Sequence, residues 1–313
     1  MNHIGIIIRQ FRRQLGLTQK DLADGICTAR YIYLIEKGDR TPSIDVLKKL
    51  SARLRVNLFE VSNYLACKNT IQAYEAVNLF ERYRSKLDLK GLSEATQRME
   101  KEEDMQREPL KLEIILNKAI IDVLGGNRTE EIIRVFEQNY DRLINGRYFE
   151  KTYIRYLALI AFSYLMLNDH QKSESIISKA FELLNAMDED EFKETIILTR
   201  MIHLALTYKM GKYDETINEG LRLLEYQRKR SLFERTECTY YLITLAYLKK
   251  NQNKKAYEFT MKIIYIALLE DVSIAVDIFK KNPDFIQFLS SDFDPKDRSV
   301  SSFIKKYNIH FHD

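Results

Sequence analysis

The sequence predicts an all-α protein built in two parts, and three observations carry that expectation. Four prolines and ten glycines in 313 residues leave few breaks in the chain. Apolar residues recur at three- and four-residue steps along most segments, whereas the alternation that marks strands is essentially absent. The breaks that do occur are closely spaced before residue 66 and recur about every 40 residues further on. The expected architecture is a five-helix module over 1–66, a linker helix with a charged segment over 67–110, and a right-handed solenoid of helix pairs over 111–313.

The first helix is expected over Ile4 to Leu15. Ile4, Ile7, Ile8, Phe11 and Leu15 form its apolar side, with Arg9, Arg12 and Arg13 opposite as a basic face. Gly16 ends it. Thr18 is a natural N-cap for a second helix, and Asp21, three residues on, closes a capping box, with Leu22, Ala23 and Ile26 facing inward. Asp24-Gly25 supplies a turn in which glycine can take positive φ without a Cβ clash. A third helix starts near Thr28 with Ile32 and Ile35 buried and Ala29, Arg30, Tyr31, Tyr33 and Leu34 outward. Lys37-Gly38 stops it. Ser43 caps a fourth helix through Val46, Leu47, Leu50 and Leu54, and Val56, Leu58, Phe59 and Val61 lead into a fifth.

Charge separates this module from the rest. Residues 1–66 hold 11 Lys plus Arg against 6 Asp plus Glu, a net of +5, whereas the whole chain carries +4. The basic excess is therefore confined to the first part, as expected of a surface that meets nucleic-acid phosphates. Leu17-Thr18-Gln19, Ile35-Glu36 and Pro42-Ser43 make segment 4–61 resemble the Cro and lambda repressor (XRE) type of helix-turn-helix, over about a fifth of the chain. The segment departs from the commonest pattern in a turn one residue shorter, Asp24-Gly25-Ile26-Cys27-Thr28. That variant is similar to the branch of peptide-responsive regulators that includes PlcR and NprR. In such a module the second helix of the motif enters the major groove with its N-terminal residues against base edges.

Roles follow for individual residues. Thr18 and Gln19 open the second helix, where a phosphate approaches backbone amides. Thr28, Ala29 and Arg30 open the recognition helix: Arg30 can pair bidentately with guanine, Ala29 can touch a thymine methyl, and Tyr33 can reach a base or a phosphate. Arg13, Lys37 and Arg40 are expected at the DNA backbone. The alternative for each is a solvated surface side chain, and for the whole module a small bundle with no DNA role.

Composition excludes other classes. The chain is 45% apolar and 30% charged, a soluble globular mix. No apolar run approaches the roughly 20 residues a bilayer span needs. Met1-Asn2-His3-Ile4 lacks the order of a signal peptide, so a cytosolic location is expected. Cys27, Cys67 and Cys238 are too scattered for a disulfide framework or a zinc site, although an exposed thiol can join two protomers under oxidation. His310 and His312 alternate like a ligand pair but stand alone. With no Ser-His-Asp order, phosphate loop or paired-carboxylate pocket, neither an enzyme nor a cofactor site is expected.

Beyond residue 110 the breaks Gly126-Asn127, Asn168-Asp169, Gly211-Lys212 and Asn251-Gln252 are 42, 43 and 40 residues apart. Gly211-Lys212-Tyr213-Asp214-Glu215-Thr216 resembles the turn of a tetratricopeptide repeat. The unit at Asn168, with Tyr164, Ser173 and Ala180, and that at Asn251, with Tyr247 and Ala256, are looser versions. A helix pair of this kind cannot bury its own apolar face, so stacking is expected to give one concave surface suited to an extended peptide. A coiled-coil-like bundle is the alternative, and the lack of sustained heptads counts against it. Between the two parts, Ile71, Tyr74, Val77, Leu79 and Phe80 continue a helical pattern. The run from Arg98 to Asp104 is expected as a solvated helix face of alternating charge, with a domain link as the alternative.

A basic helix-turn-helix joined to a tetratricopeptide-like solenoid resembles the Rgg, NprR, PlcR and PrgX (RRNPP) group of regulators of low-GC Gram-positive bacteria. The resemblance implies a homodimer on a palindromic operator whose transcriptional output changes when a short quorum-sensing peptide lies in the solenoid groove. It also implies that Asn117 holds the peptide backbone. Placing each first helix relative to its turn puts Arg155, Phe162, Met201, Tyr208, Lys209 and Tyr241 on the concave side, where Arg155 or Lys209 can meet a carboxylate. The alternative for each is an ordinary interhelix residue. Two other readings of the chain compete. One is an XRE-type repressor, for example of a mobile element, whose repeats only dimerise or bind a protein. The other is an enzyme or docking scaffold with a vestigial first module.

Overall fold

A computed structural model describes residues 3–108, 110–125, 130, 131, 133–135, 137, 138, 150–187 and 189–311. The chain forms two compact units, Met1–Arg84 with Leu89–Lys118, and Ser85–Asp88 with Ala119–Asp313. Among the described residues there is no strand, and no helix is long and apolar enough to cross a membrane. Pro109, the expected Gly126-Asn127 turn and His312 lie outside the described residues.

The first unit begins with α1 (Ile4–Gln14), α2 (Gln19–Ala23), α3 (Ala29–Lys37), α4 (Ile44–Leu54) and α5 (Leu58–Ser62). Their apolar stripes meet in one core of Ile7, Ile8, Leu22, Ala23, Ile32, Ile35, Leu50, Leu54, Leu58 and Val61. Ser43 caps α4 by accepting from the Val46 amide at 3.4 Å. Asn57, which the sequence reading passed over, caps α5 by accepting from Phe59 and Glu60 at 3.1 and 3.4 Å. Leu15, expected inward, is 45% exposed, because α1 has already ended and Leu15 is its C-cap. Where α1 crosses α3 the backbones nearly touch: a Cβ on Gly5 would lie 1.8 Å from the Ile35 carbonyl oxygen.

Next come α6 (Thr70–Ser85), α7 (Leu89–Met99) and α8 (Leu110–Leu124). Ile71 and Tyr74 of α6 pack on the five-helix core. The charged run expected as one solvated helix face is not continuous. α7 stops at Met99, and Glu103–Gln106 form a 3-10 turn with Met105 buried. Asp104 accepts from the Lys68 and Asn69 amides, both at 2.9 Å, so the acidic run supplies the cap at the start of α6. Inside the unit, Arg84 of α6 pairs with Glu113 of α8, both side chains 7% exposed.

Among its described residues the second unit holds three helix pairs: α9 (Glu150–Met166) with α10 (His170–Leu184), α11 (Glu189–Lys209) with α12 (Tyr213–Lys229), and α13 (Thr236–Lys249) with α14 (Asn253–Leu269). Each pair turns on one left-handed residue, Asn168 (φ 60°), Gly211 (φ 76°) or Asn251 (φ 55°). Each of these donates to the carbonyl three residues back, and the next amide donates to the carbonyl five residues back, at 2.9–3.1 Å throughout. This is one C-capping arrangement used three times. Five residues past each turn stands a small buried residue: Ser173, Thr216 and Ala256, all 0% exposed. The Ser173 hydroxyl donates to the Ala161 carbonyl at 2.8 Å, and Thr216 meets Thr207 at 3.0 Å, so close helices also satisfy their polar groups.

Three short helices, α15 (Ser273–Phe279), α16 (Pro283–Asp292) and α17 (Arg298–Lys306), follow the last pair. Phe279, Phe285, Phe288, Phe293, Phe303 and Tyr307 join its core. Lys306 Nζ and the Tyr307 hydroxyl both donate to the Ala267 carbonyl, at 2.5 and 2.8 Å, and to that of Glu270. The segment thereby satisfies the open carbonyls at the end of α14.

Gly5→Ala is expected to destabilise the protein by about 3 kcal/mol, since the new methyl has backbone rather than a flexible side chain to displace. Urea unfolding measures this, and an unchanged midpoint would exclude the close crossing of α1 and α3.

Candidate functional site

Each helix of the α2–α3 pair is started by a side-chain cap. Thr18 accepts from the Asp21 amide at 3.1 Å, while Asp21 accepts from the Thr18 amide and hydroxyl at 2.8 and 2.6 Å. These bonds hold the Asp21 carboxyl below the ordinary aspartate range. Gly25 turns the chain at φ 66°. Thr28 then accepts from the Tyr31 amide at 3.2 Å and starts α3.

At the N-terminal end of α3, Thr28, Ala29 and Arg30 are exposed, and Tyr33, one turn later, is 50% exposed. None of their side chains is tied to the core beyond the Thr28 cap. Tyr31 and Leu34, expected outward, are half-buried, and the Tyr31 hydroxyl donates to the Thr41 carbonyl at 3.3 Å. Arg13 and Arg40 are exposed, as is Lys37, which pairs with Asp39 at 2.9 Å. Gly38 ends α3 in the left-handed region at φ 90°.

Arg12 corrects the expected basic face. It is 8% exposed, and Glu36, beside it, is 6% exposed. Arg12 Nε and Nη2 donate to the two Glu36 oxygens at 2.5 and 2.9 Å, and Nη1 donates to the Leu17 carbonyl at 2.7 Å. The signal was in the spacing, since Ile4, Ile8 and Arg12 follow one another at four-residue steps on the inward stripe. Gln19 is drawn in as well: its side-chain amide donates to Glu36 at 2.9 Å, which turns that side chain inward from the start of α2. Sequence reasoning also missed Gly5, whose need for a bare Cα arises only where two distant helices cross.

The residues expected to face a ligand are placed differently from one another. In the second unit Lys209 is exposed; Phe162, Met201 and Tyr208 are half-buried; and Arg155 is 7% exposed. The Tyr208 ring leans on that of Tyr213, with centroids 5.8 Å apart. Tyr241 is not open. It is 7% exposed, stacks on Phe279 at 3.9 Å, and burial pushes its hydroxyl pKa up. Asn117, in the first unit, is fully buried, and its amide donates to the Thr96 hydroxyl at 3.0 Å. Either residue reaches a ligand only after the side chains over it move. Cys27, Cys67 and Cys238 are unbridged and half-buried, and burial raises the Cys67 thiol to about 11.

This geometry defines the class of the first module, and comparison agrees with it. Residues 8–61 match the family described as "Helix-turn-helix", and the segment is a helix-turn-helix domain of the XRE type. The chain is similar in fold to PlcR of Bacillus thuringiensis, solved with the peptide PapR7 and DNA, at 18% identity and a TM-score of 0.62 over 87% of this chain and 100% of that one. ComR of S. thermophilus, solved with DNA and its signalling peptide ComS, is similar at 19% identity and a TM-score of 0.53, over 88% and 97% of the two chains. PrgX in complex with iCF10 is similar at 17% identity and a TM-score of 0.52, over 100% and 99%. No curated protein matches the sequence. The chain therefore has the fold of these proteins, a helix-turn-helix domain followed by helical repeats.

Two outcomes follow. Glu36→Gln or Arg12→Met alone is expected to cost about 3–5 kcal/mol, because each leaves a buried partner uncompensated. The double replacement should cost less than the sum of the two, as a double-mutant cycle in urea will show. The Asp21 box stabilises α2 at every pH above the ordinary aspartate range and is lost as pH falls through the lowered pKa. The Thr18 amide proton shift should follow that titration, and no movement down to pH 2 would remove the box from the account.

Proposed function

We propose that this chain is a cytoplasmic transcription regulator of the RRNPP type, which reads a DNA operator with residues 1–66 and is switched by a short signalling peptide bound by its helical repeats. The observation that carries the reading is the open, uncommitted face of Thr28, Ala29, Arg30 and Tyr33 at the start of α3, in a module of net charge +5. A groove-entering helix needs such a face. The accompanying phosphate contacts are Arg13, Lys37, Arg40 and the Thr18–Gln19 amides.

Residues 67–110 link this module to 111–313, which take the peptide and dimerise. Three proteins of the same fold, PlcR, ComR and PrgX, were solved with peptides or DNA in complexes that make this division the natural one to test. In the second unit Lys209, or Arg155 once the side chains over it move, meets a peptide carboxylate, and Phe162, Met201 and Tyr208 supply apolar contact. Tyr241 joins only after repacking. A two-fold dimer implies a palindromic operator with half-sites about one helical turn apart. The role is regulatory rather than enzymatic.

Wild-type protein incubated with a random-sequence duplex library is expected to enrich a palindrome. Arg30→Ala should then lose about 1–3 kcal/mol on the enriched duplex and relax one base pair in each half-site. If the combined replacement of Thr28, Ala29 and Arg30 leaves specific binding intact, the assignment of α3 fails. Pools of synthetic five- to ten-residue peptides test the second half. At least one pool should shift melting temperature and operator affinity together. Indifference to every pool would instead support a repressor whose repeats only dimerise or bind a protein.

A further inference from the structure

We propose that Arg53 is a positioning residue for DNA reading: it holds the α2–α3 turn, and through it the recognition helix, instead of contacting phosphate. The inference rests on the DNA-binding reading above and names a residue which that reading does not use.

Arg53 lies on α4, exposed, and adds one cation to the basic excess of the module, so by charge alone it reads as a backbone contact. Its geometry points elsewhere. Nη1 donates to the Asp21 carbonyl at 2.9 Å and to the Asp24 carbonyl at 2.6 Å, across 32 and 29 residues of sequence. α2 has only five residues. Its last carbonyls have little helix beyond them to accept from: the Lys20 carbonyl takes the Asp24 amide, and the Ala23 carbonyl takes those of Ile26 and Cys27. The Asp21 and Asp24 carbonyls are left to Arg53. A cation at a helix C-terminus that also completes its hydrogen bonds satisfies both the orphan acceptors and the local dipole.

The place matters because the chain reverses between Asp24 and Thr28, with Gly25 at φ 66°, and Thr28 is already the N-cap of α3. A turn that loosens here displaces Ala29 and Arg30 first. The N-terminal end of α2 has its own clamp in the Thr18–Asp21 box. Arg53 is the corresponding clamp at the other end, supplied by a different helix.

Salt dependence separates positioning from phosphate contact. A lost phosphate contact flattens the slope of log K against log salt by roughly one, for specific and random DNA alike. A lost positioning contact lowers specific binding and leaves the slope alone. The test uses the full chain, the duplex enriched by wild type from a random library, and a random duplex of equal length. Arg53→Gln is expected to weaken specific binding about tenfold, with random-DNA affinity and both slopes unchanged and with faster hydrogen exchange at the Ile26 and Cys27 amides.

Both bonds come from a single nitrogen, so Arg53→Lys, whose ammonium can reach both carbonyls, is expected to restore the wild-type ratio of specific to random affinity. This variant also keeps the test open if Arg53→Gln does not fold. A flattened slope with both affinities falling together overturns the proposal in favour of a phosphate contact. Unchanged specific affinity in Arg53→Gln, or no rescue by Arg53→Lys, also overturns it. If wild type enriches no sequence, the DNA-binding reading itself falls, which is a distinguishable result.

Discussion

One carboxylate organises the helix-turn-helix module. Glu36 leaves α3 toward the core, accepts two bonds from Arg12 of α1 and a third from Gln19 of α2, while Arg12 reaches on to the carbonyl of Leu17 in the α1–α2 turn. Three helices and a turn thus share one set of charges. The net contribution of such a pair to stability is small, since desolvating both ions offsets most of their attraction. Its effect on geometry is large, because every alternative packing of α3 strands a charge. The exposed face of Thr28, Ala29 and Arg30 is aimed by what Glu36 does on the buried side of the same helix. The bare Cα of Gly5, which lets the Ile35 carbonyl approach α1, sets the remaining degree of freedom.

The second unit is organised by a backbone device. Asn168, Gly211 and Asn251 each take a left-handed conformation and close the same pair of hydrogen bonds. Asparagine tolerates that conformation because its short polar side chain can bond locally, and glycine because it has no Cβ. Around each turn the side chains differ, with Ser173, Thr216 and Ala256 at one position and Ala180, Leu223 and Ile263 at another, all of them buried. Size is preserved where helices touch closely, and polarity is free to vary where a hydroxyl can find a carbonyl. This explains how a repeat can persist with so little sequence identity between its copies.

The features legible in the sequence were those whose partner lies within one turn. Thr18 and Asp21 are three residues apart, Ser43 and Val46 likewise, and Gly25, Gly38 and Gly211 act through their own φ. The features that escaped reading depend on distant partners. Arg12 meets Glu36 across 24 residues. Asp104 caps a helix that starts more than 30 residues earlier, which turned an expected solvated face into a structural cap. Tyr241 is closed off by Phe279, and Asn117 by its contact with Thr96, neither of which periodicity can place. A concave register derived from helix phase alone says which way a residue points, not what has been laid over it.

By itself the sequence determined the class of the fold, the Thr18 and Ser43 caps, the glycine turns that stop its helices, and the confinement of positive charge to the first module. Each is a local property, set by the energetics of a few adjacent residues. Only the tertiary structure decided which of the basic residues are engaged within the module, since Arg12 bonds to Glu36 and Arg53 to the carbonyls of the turn. It also decided which expected ligand contacts are open. The reason is the same in both cases: burial and pairing are relations between segments, and charge or spacing along a chain does not contain them.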